Sequence, residues 1–190
     1  MRIVVIFFLV FFSALTVNAQ SLDNEIAVLV APLKLDDKSN YQLMYKRSLP
    51  ENLKLRSGLR LLVNTDKTLR SDSVIVESGS FGYNLSLGIQ KDLQIGDLEK
   101  MYLYAGSDLY WNSEFNRKTH ESYYGYYWNF GTKPLLGVSY EPFSNIRLSF
   151  ESRANFNINL QEYSAAGENY DRKYKFSVVD ELALSVGYLF

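Results

Sequence analysis

Hydrophobic and polar residues alternate along most of this chain with a period of two. That period marks a β-strand whose two faces meet different environments. The cleanest stretch is the seventh strand, Ile146 to Leu160. There Ile146, Leu148, Phe150, Ala154, Phe156, Ile158 and Leu160 alternate with Arg147, Ser149, Glu151, Arg153, Asn155, Asn157 and Asn159. Upstream, the same rhythm predicts strands over Asn40 to Ser48, Leu53 to Asn64, Phe81 to Gln90, Lys100 to Trp111 and Tyr126 to Glu141, and downstream over Tyr174 to Phe190. A further strand is expected over Asn24 to Leu33, where the alternation is poor. The expectation is eight strands in one all-β domain, with no internal repeat, low-complexity tract or linker.

The connections carry a second pattern. Leu49-Pro50-Glu51-Asn52 and Pro142-Phe143-Ser144-Asn145 read as tight turns, and Lys91 to Glu99 as a somewhat longer one. Between them lie polar links: Lys34 to Ser39, Thr65 to Ser80, Asn112 to Gly125 and Gln161 to Lys173. In an eight-stranded up-and-down meander, all short turns fall at one end and all long links at the other. That asymmetry is the one expected of a transmembrane barrel.

The two ends of the chain point the same way. Met1 and Arg2, the apolar run Ile3 to Phe12 and the small-residue site Val17-Asn18-Ala19 have the layout of a secretory signal peptide over residues 1–19, with residues 20–190 as the mature domain. An uncleaved N-terminal anchor is the alternative; no cysteine follows the site, which excludes a lipoprotein anchor. At the other end, Leu182-Ala183-Leu184-Ser185-Val186-Gly187-Tyr188-Leu189-Phe190 alternates bulky with mostly small residues and stops on an aromatic. This ending resembles the C-terminal strand by which bacterial outer-membrane barrels are recognised by their insertion machinery. Tyr188 and Phe190 match its aromatic-x-aromatic part, while Ser185 and Ala183 depart from the pattern. Over the whole mature chain, the sequence resembles small barrels of the OmpA and OmpX type. Gln20 and the run Tyr45-Lys46-Arg47-Ser48-Leu49 before Pro50-Glu51-Asn52 resemble members from the Bacteroidetes group. The resemblance implies a structural or surface-interaction role in the bacterial outer membrane. It also implies contact with outer-membrane lipid and lipopolysaccharide; with the sequence ending at the last strand, no peptidoglycan-binding domain is expected to follow. A monomer is expected.

Composition narrows the choice. The chain has 190 residues, no cysteine, one histidine and a formal net charge of -1. Nothing suggests nucleic acid, a disulfide framework or a structural zinc site, and no cofactor is expected. Outside the signal no run is apolar enough for a membrane-spanning helix, a limit that leaves a barrel open because its lipid face uses only alternate residues. Alternation alone fits either a membrane barrel or a soluble lipocalin-like barrel that binds an apolar ligand. Three features favour lipid on the apolar side. The opposite face is rich in glycine (Gly58, Gly82, Gly88, Gly106, Gly137, Gly187). Aromatics gather near strand ends, with Tyr140, Phe143, Tyr188 and Phe190 at one rim and Trp111, Tyr126 and Trp128 towards the other. The terminal strand also needs a partner along its edge.

An eight-stranded barrel is just wide enough to be filled by side chains. Lys54, Arg56, Arg60, Arg147 and Arg153 would then need anionic partners inside it, and Asp108, Glu141, Glu151 and Glu181 are available. The expectation is an internal salt-bridge network rather than a channel, because buried charges persist only when paired. A solvated outer face is the alternative for the same charges.

Catalytic signals are weak. His120-Glu121-Ser122 has the spacing of the lipid A deacylase type of outer-membrane enzyme, in which a histidine serves as base for a serine nucleophile. A solvated loop histidine fits the polar stretch Arg117 to Ser122 better, and the palmitoyl-transferase type lacks its leading amphipathic helix here. No catalytic, cofactor-binding or metal site is assigned. The run Tyr123-Tyr124-Gly125-Tyr126-Tyr127-Trp128 reads either as a binding tip or as the start of a long strand carrying an aromatic belt.

Overall fold

The computed structural model describes residues 24–31, 41–70, 74–95, 98–118, 123–164 and 168–190; side chains are described for these except at 64–78, 99, 116–118, 123–125 and 159–180. The proposed signal peptide over 1–19 lies outside the described residues.

Eight strands form one closed antiparallel barrel, each paired with its sequence neighbours. They are β1 (Asn24–Val30), β2 (Tyr41–Leu49), β3 (Leu53–Arg70), β4 (Val74–Ile95), β5 (Leu98–Lys118), β6 (Tyr123–Phe143), β7 (Ile146–Ser164) and β8 (Glu168–Leu189). The number, order and meander agree with the alternation. Closure is made by β1 against β8, from Glu25↔Leu189 to Val30↔Leu184. It is finished by a backbone exchange in which Asn24 N–H donates to Phe190 O at 3.1 Å and Phe190 N–H donates to Asn24 O at 2.9 Å. The terminal strand therefore has no free edge where it meets β1, so its backbone groups are satisfied.

The wall alternates as a barrel must. Ile26, Val28, Leu43, Leu61, Val63, Phe81, Leu87, Ile89, Leu109, Leu136, Phe150, Leu184 and Val186 are exposed on the outside. Glu25, Lys46, Arg56, Asp108, Glu151, Arg153 and Ser185 are buried within. Gly137 shows why glycine suits the inner face. A Cβ there would stand 2.5 Å from the Tyr104 hydroxyl and 2.7 Å from the Phe150 carbonyl oxygen, so only glycine leaves room for the Tyr104 ring.

The connections differ from the expectation. The described parts of the polar segments Thr65 to Ser80, Asn112 to Gly125 and Gln161 to Lys173 are strand extensions, and the expected link Lys34 to Ser39 lies outside the described residues. β3 runs on to Arg70 and pairs there with Val74, and β5 pairs Lys118 with Tyr123. The expected Lys91 to Glu99 turn is mostly strand as well, since β4 continues to Ile95 and β5 begins at Leu98. The tight turn at Pro50–Asn52 is present as a 3-10 turn, with Glu51 and Asn52 at φ 64° and 59°. β7 and β8 lose register once: Arg153 pairs with Glu181 and Asn155 with Ser177, so β8 positions 178–180 face Ala154 alone.

Candidate functional site

The interior is the candidate site, and its middle is built around Glu151. Arg56 on β3 reaches across the barrel to Glu151 on β7, with Nη1–Oε2 at 3.2 Å, and its Nε stands 3.1 Å from Asp108 Oδ1 on β5. Arg153 pairs with the same Glu151 and, at 3.5 Å, with Glu181 on β8. Lys133 on β6 completes this tier at 2.9 Å from Glu181 Oε1. Tyr104 donates its hydroxyl to Glu151 Oε2 at 3.0 Å, and Arg56 donates to Gln90 Oε1 at 2.8 Å. Arg56 and Tyr104 are fully buried. One carboxylate thus accepts from two guanidinium groups and a phenol, each from a different position on the wall.

A second tier lies at the end of the barrel that carries Asn24 and Phe190. Arg147 is its hub: it pairs with Glu141 on β6, with Glu25 on β1 at 3.3 Å and with Asp92 on β4 at 3.4 Å. Lys46 pairs with Glu25 at 2.8 Å and Lys54 with Asp92 at 2.6 Å. These six side chains line a cavity of about 420 Å³. Towards the opposite end the interior turns from ions to neutral polar groups: Tyr110 donates to Asn155 Oδ1 at 2.8 Å, and Gln42 donates to Ser86 Oγ at 3.0 Å.

Of the nine side chains assigned to the interior from sequence, the structure places Lys54, Arg56, Asp108, Glu141, Arg147, Glu151, Arg153 and Glu181 in these pairs. Arg60 stands on the same face of β3 and interacts electrostatically with Glu181. Four members were missed: Glu25, Lys46, Asp92 and Lys133. Part of the interior is also not polar. Ala27, Leu29, Ala31, Met44 and Ala183 form a buried apolar cluster on β1, β2 and β8. His120 and Ser122, the deacylase-like pair, lie outside the described residues. Among the described residues no group of three or more His, Asp or Glu side chains could hold a metal ion. At the terminal rim, Tyr188 points outward and its ring stacks on that of Phe190 at 6.4 Å. Towards the other end, Trp111 stacks on Phe130 at 5.8 Å and Tyr83 meets Trp111 edge-on at 5.7 Å.

A closed eight-stranded meander, apolar outside and ion-paired within, has the architecture of a small outer-membrane β-barrel, and the chain has that fold. Among solved structures it is similar to the solution structure of outer membrane protein W from E. coli, with a TM-score of 0.53 and 11% identity over 88% of this chain and 97% of that one. It also matches a major outer membrane protein from Thermus thermophilus (TM-score 0.49, 10% identity, 88% and 99% covered) and the N-terminal β-barrel domain of Pseudomonas aeruginosa OprF (TM-score 0.44, 13% identity, 90% and 98% covered). No family model and no curated protein matches the sequence.

Proposed function

We propose that the chain is an integral protein of the bacterial outer membrane, with a lumen filled by side chains, acting structurally or through surface contacts of its strand extensions. The observation that carries this reading is the inversion of the wall: aliphatic and aromatic side chains cover the outside while the ions are inside. A soluble lipocalin-like barrel needs the reverse, an apolar interior and a charged exterior. Arg56, Tyr104 and Glu151 close the mid-section, so the protein acts as a packed barrel rather than an open pore.

Tyr188 and Phe190 serve as the insertion signal in this reading, and lipid with lipopolysaccharide is the surrounding partner. The chain works as a monomer without a cofactor. Fractionation of expressing cells tests the location: the protein is expected in the outer-membrane fraction, and recovery in the soluble periplasmic fraction would overturn it. A deacylase-like activity through His120 and Ser122 is the competing reading. His120→Ala is expected to leave the lipid A acylation pattern of the host unchanged, and a changed pattern would favour the enzyme.

A further inference from the structure

Among the described residues the seam that closes the barrel is short. β1 and β8 are matched from Glu25↔Leu189 to Val30↔Leu184, whereas β3 and β4 are matched from Leu53↔Lys91 to Arg70↔Val74. Between the two seam strands the inner face offers little electrostatic grip. β1 contributes Ala27 and Leu29, and β8 contributes Ala183, Ser185, Gly187 and Leu189. The nearest ion on β8, Glu181, is committed to Lys133 and Arg153 on β6 and β7.

Glu25 is the exception. It sits one pair from the end of the seam, and its side chain lies over Gly187 of β8. A Cβ on Gly187 would stand 2.6 Å from Glu25 Oε1 and 2.9 Å from its Cγ. Arg147 is the register partner of Gly187 on β7, and it reaches over that glycine to Glu25 Oε2 at 3.3 Å. On the other side Lys46 of β2 holds Glu25 Oε1 at 2.8 Å. Each carboxylate oxygen thus has its own cation, one on each side of the seam, and the glycine beneath supplies the groove. Glu25 is only 2% exposed, so releasing one cation would leave charge buried and under-compensated, which is costly.

We propose that Glu25 is an ionic latch on the closing seam, tying β1 to the β7–β8 side of the barrel through Arg147 across Gly187. The latch holds the seam against local opening at the end where the first and last strands meet. The proposal rests on the closed sheet and not on where the protein resides.

Residue-resolved amide exchange on the full mature chain refolded in detergent micelles tests it. Glu25→Gln and Arg147→Met are expected to speed exchange at Ala27 to Leu29 and at Leu184 to Val186 by about tenfold or more, with the β5–β6 amides at Leu103 to Leu109 unchanged. Lys133→Met, which breaks an ion pair away from the seam, is expected to leave the seam amides at the wild-type rate. Gly187→Ala keeps every charge and crowds the Glu25 side chain. It is expected to loosen the seam in the same pattern, so it reads the latch even where a charge variant does not fold; Ser185→Ala is its control. Unchanged seam exchange in Glu25→Gln and Gly187→Ala would overturn the proposal. So would equal acceleration in all strands, or an effect of Lys133→Met on the seam as large as that of Glu25→Gln.

Discussion

Glu151 is the residue on which the interior depends most, because Arg56, Arg153 and Tyr104 all converge on it. Removing one member of a buried charge cluster costs far more than the cluster contributes net, on the order of 3–5 kcal/mol, since the partners remain buried. Glu151→Ala is therefore expected to destabilise the barrel by about that much in a urea titration on lipid vesicles, whereas a surface substitution such as Glu51→Ala stays within about 0.5 kcal/mol. Gly137 gives a steric counterpart. Gly137→Val is expected to cost about 1–3 kcal/mol through its clash with Tyr104, and Tyr104→Ala in the same chain should absorb part of that cost, as a double-mutant cycle would show. The charges on clean strands were legible because they alternated with bulky apolar neighbours, as Arg147 does between Ile146 and Leu148. Glu25 was not, because its strand shows no clear alternation; Asp92 was not, because it fell in a segment read as turn. Met44 and Leu29 escaped because an inward apolar residue on an ion-lined wall breaks the two-class rule.

At the scale of the strand, period two is visible only where the two faces meet different surroundings. β1 is apolar on both: Ile26 and Val28 face outward while Ala27 and Leu29 face the apolar part of the interior. The strand therefore reads as a hydrophobic run and was the least regular of the eight. The opposite failure occurs in the long hairpins. Beyond Val63 on β3 and Phe81 on β4 the pairing continues through Thr65↔Gly79 and Lys67↔Glu77, but the sequence there is mostly polar and carries no two-residue alternation, so the segment resembled a loop. The turn at Pro50–Asn52 was legible because Pro and Asn carry their own backbone preference. The proposed lipid face gives a graded prediction. Leu184→Arg, on the outer face of β8, is expected to cost about 2–4 kcal/mol in vesicles, and Leu98→Arg at the rim only about 0–1 kcal/mol. Equal costs at the two positions would contradict a depth-dependent apolar medium around the wall.

For the molecule as a whole, the fold follows from two facts that act together. The chain supplies eight segments of strand, and none can leave its edge unpaired in an apolar surrounding, so the sheet must close. Eight strands then fix a diameter that side chains fill, and the charges facing inward must find one another, as the Arg147 and Glu151 clusters do. Purified wild-type protein is accordingly expected to give no large ohmic steps in planar bilayers; stable large steps would contradict a packed interior. A barrel with lipid outside and ions inside folds only where an amphiphile covers its wall. Gel migration of the refolded full mature chain, unheated against boiled, tests it most directly. Refolding in detergent micelles is expected to give a heat-modifiable band with β-sheet circular dichroism, while dilution into buffer alone gives aggregate. A monomeric, fully folded barrel formed in buffer without any amphiphile would contradict it.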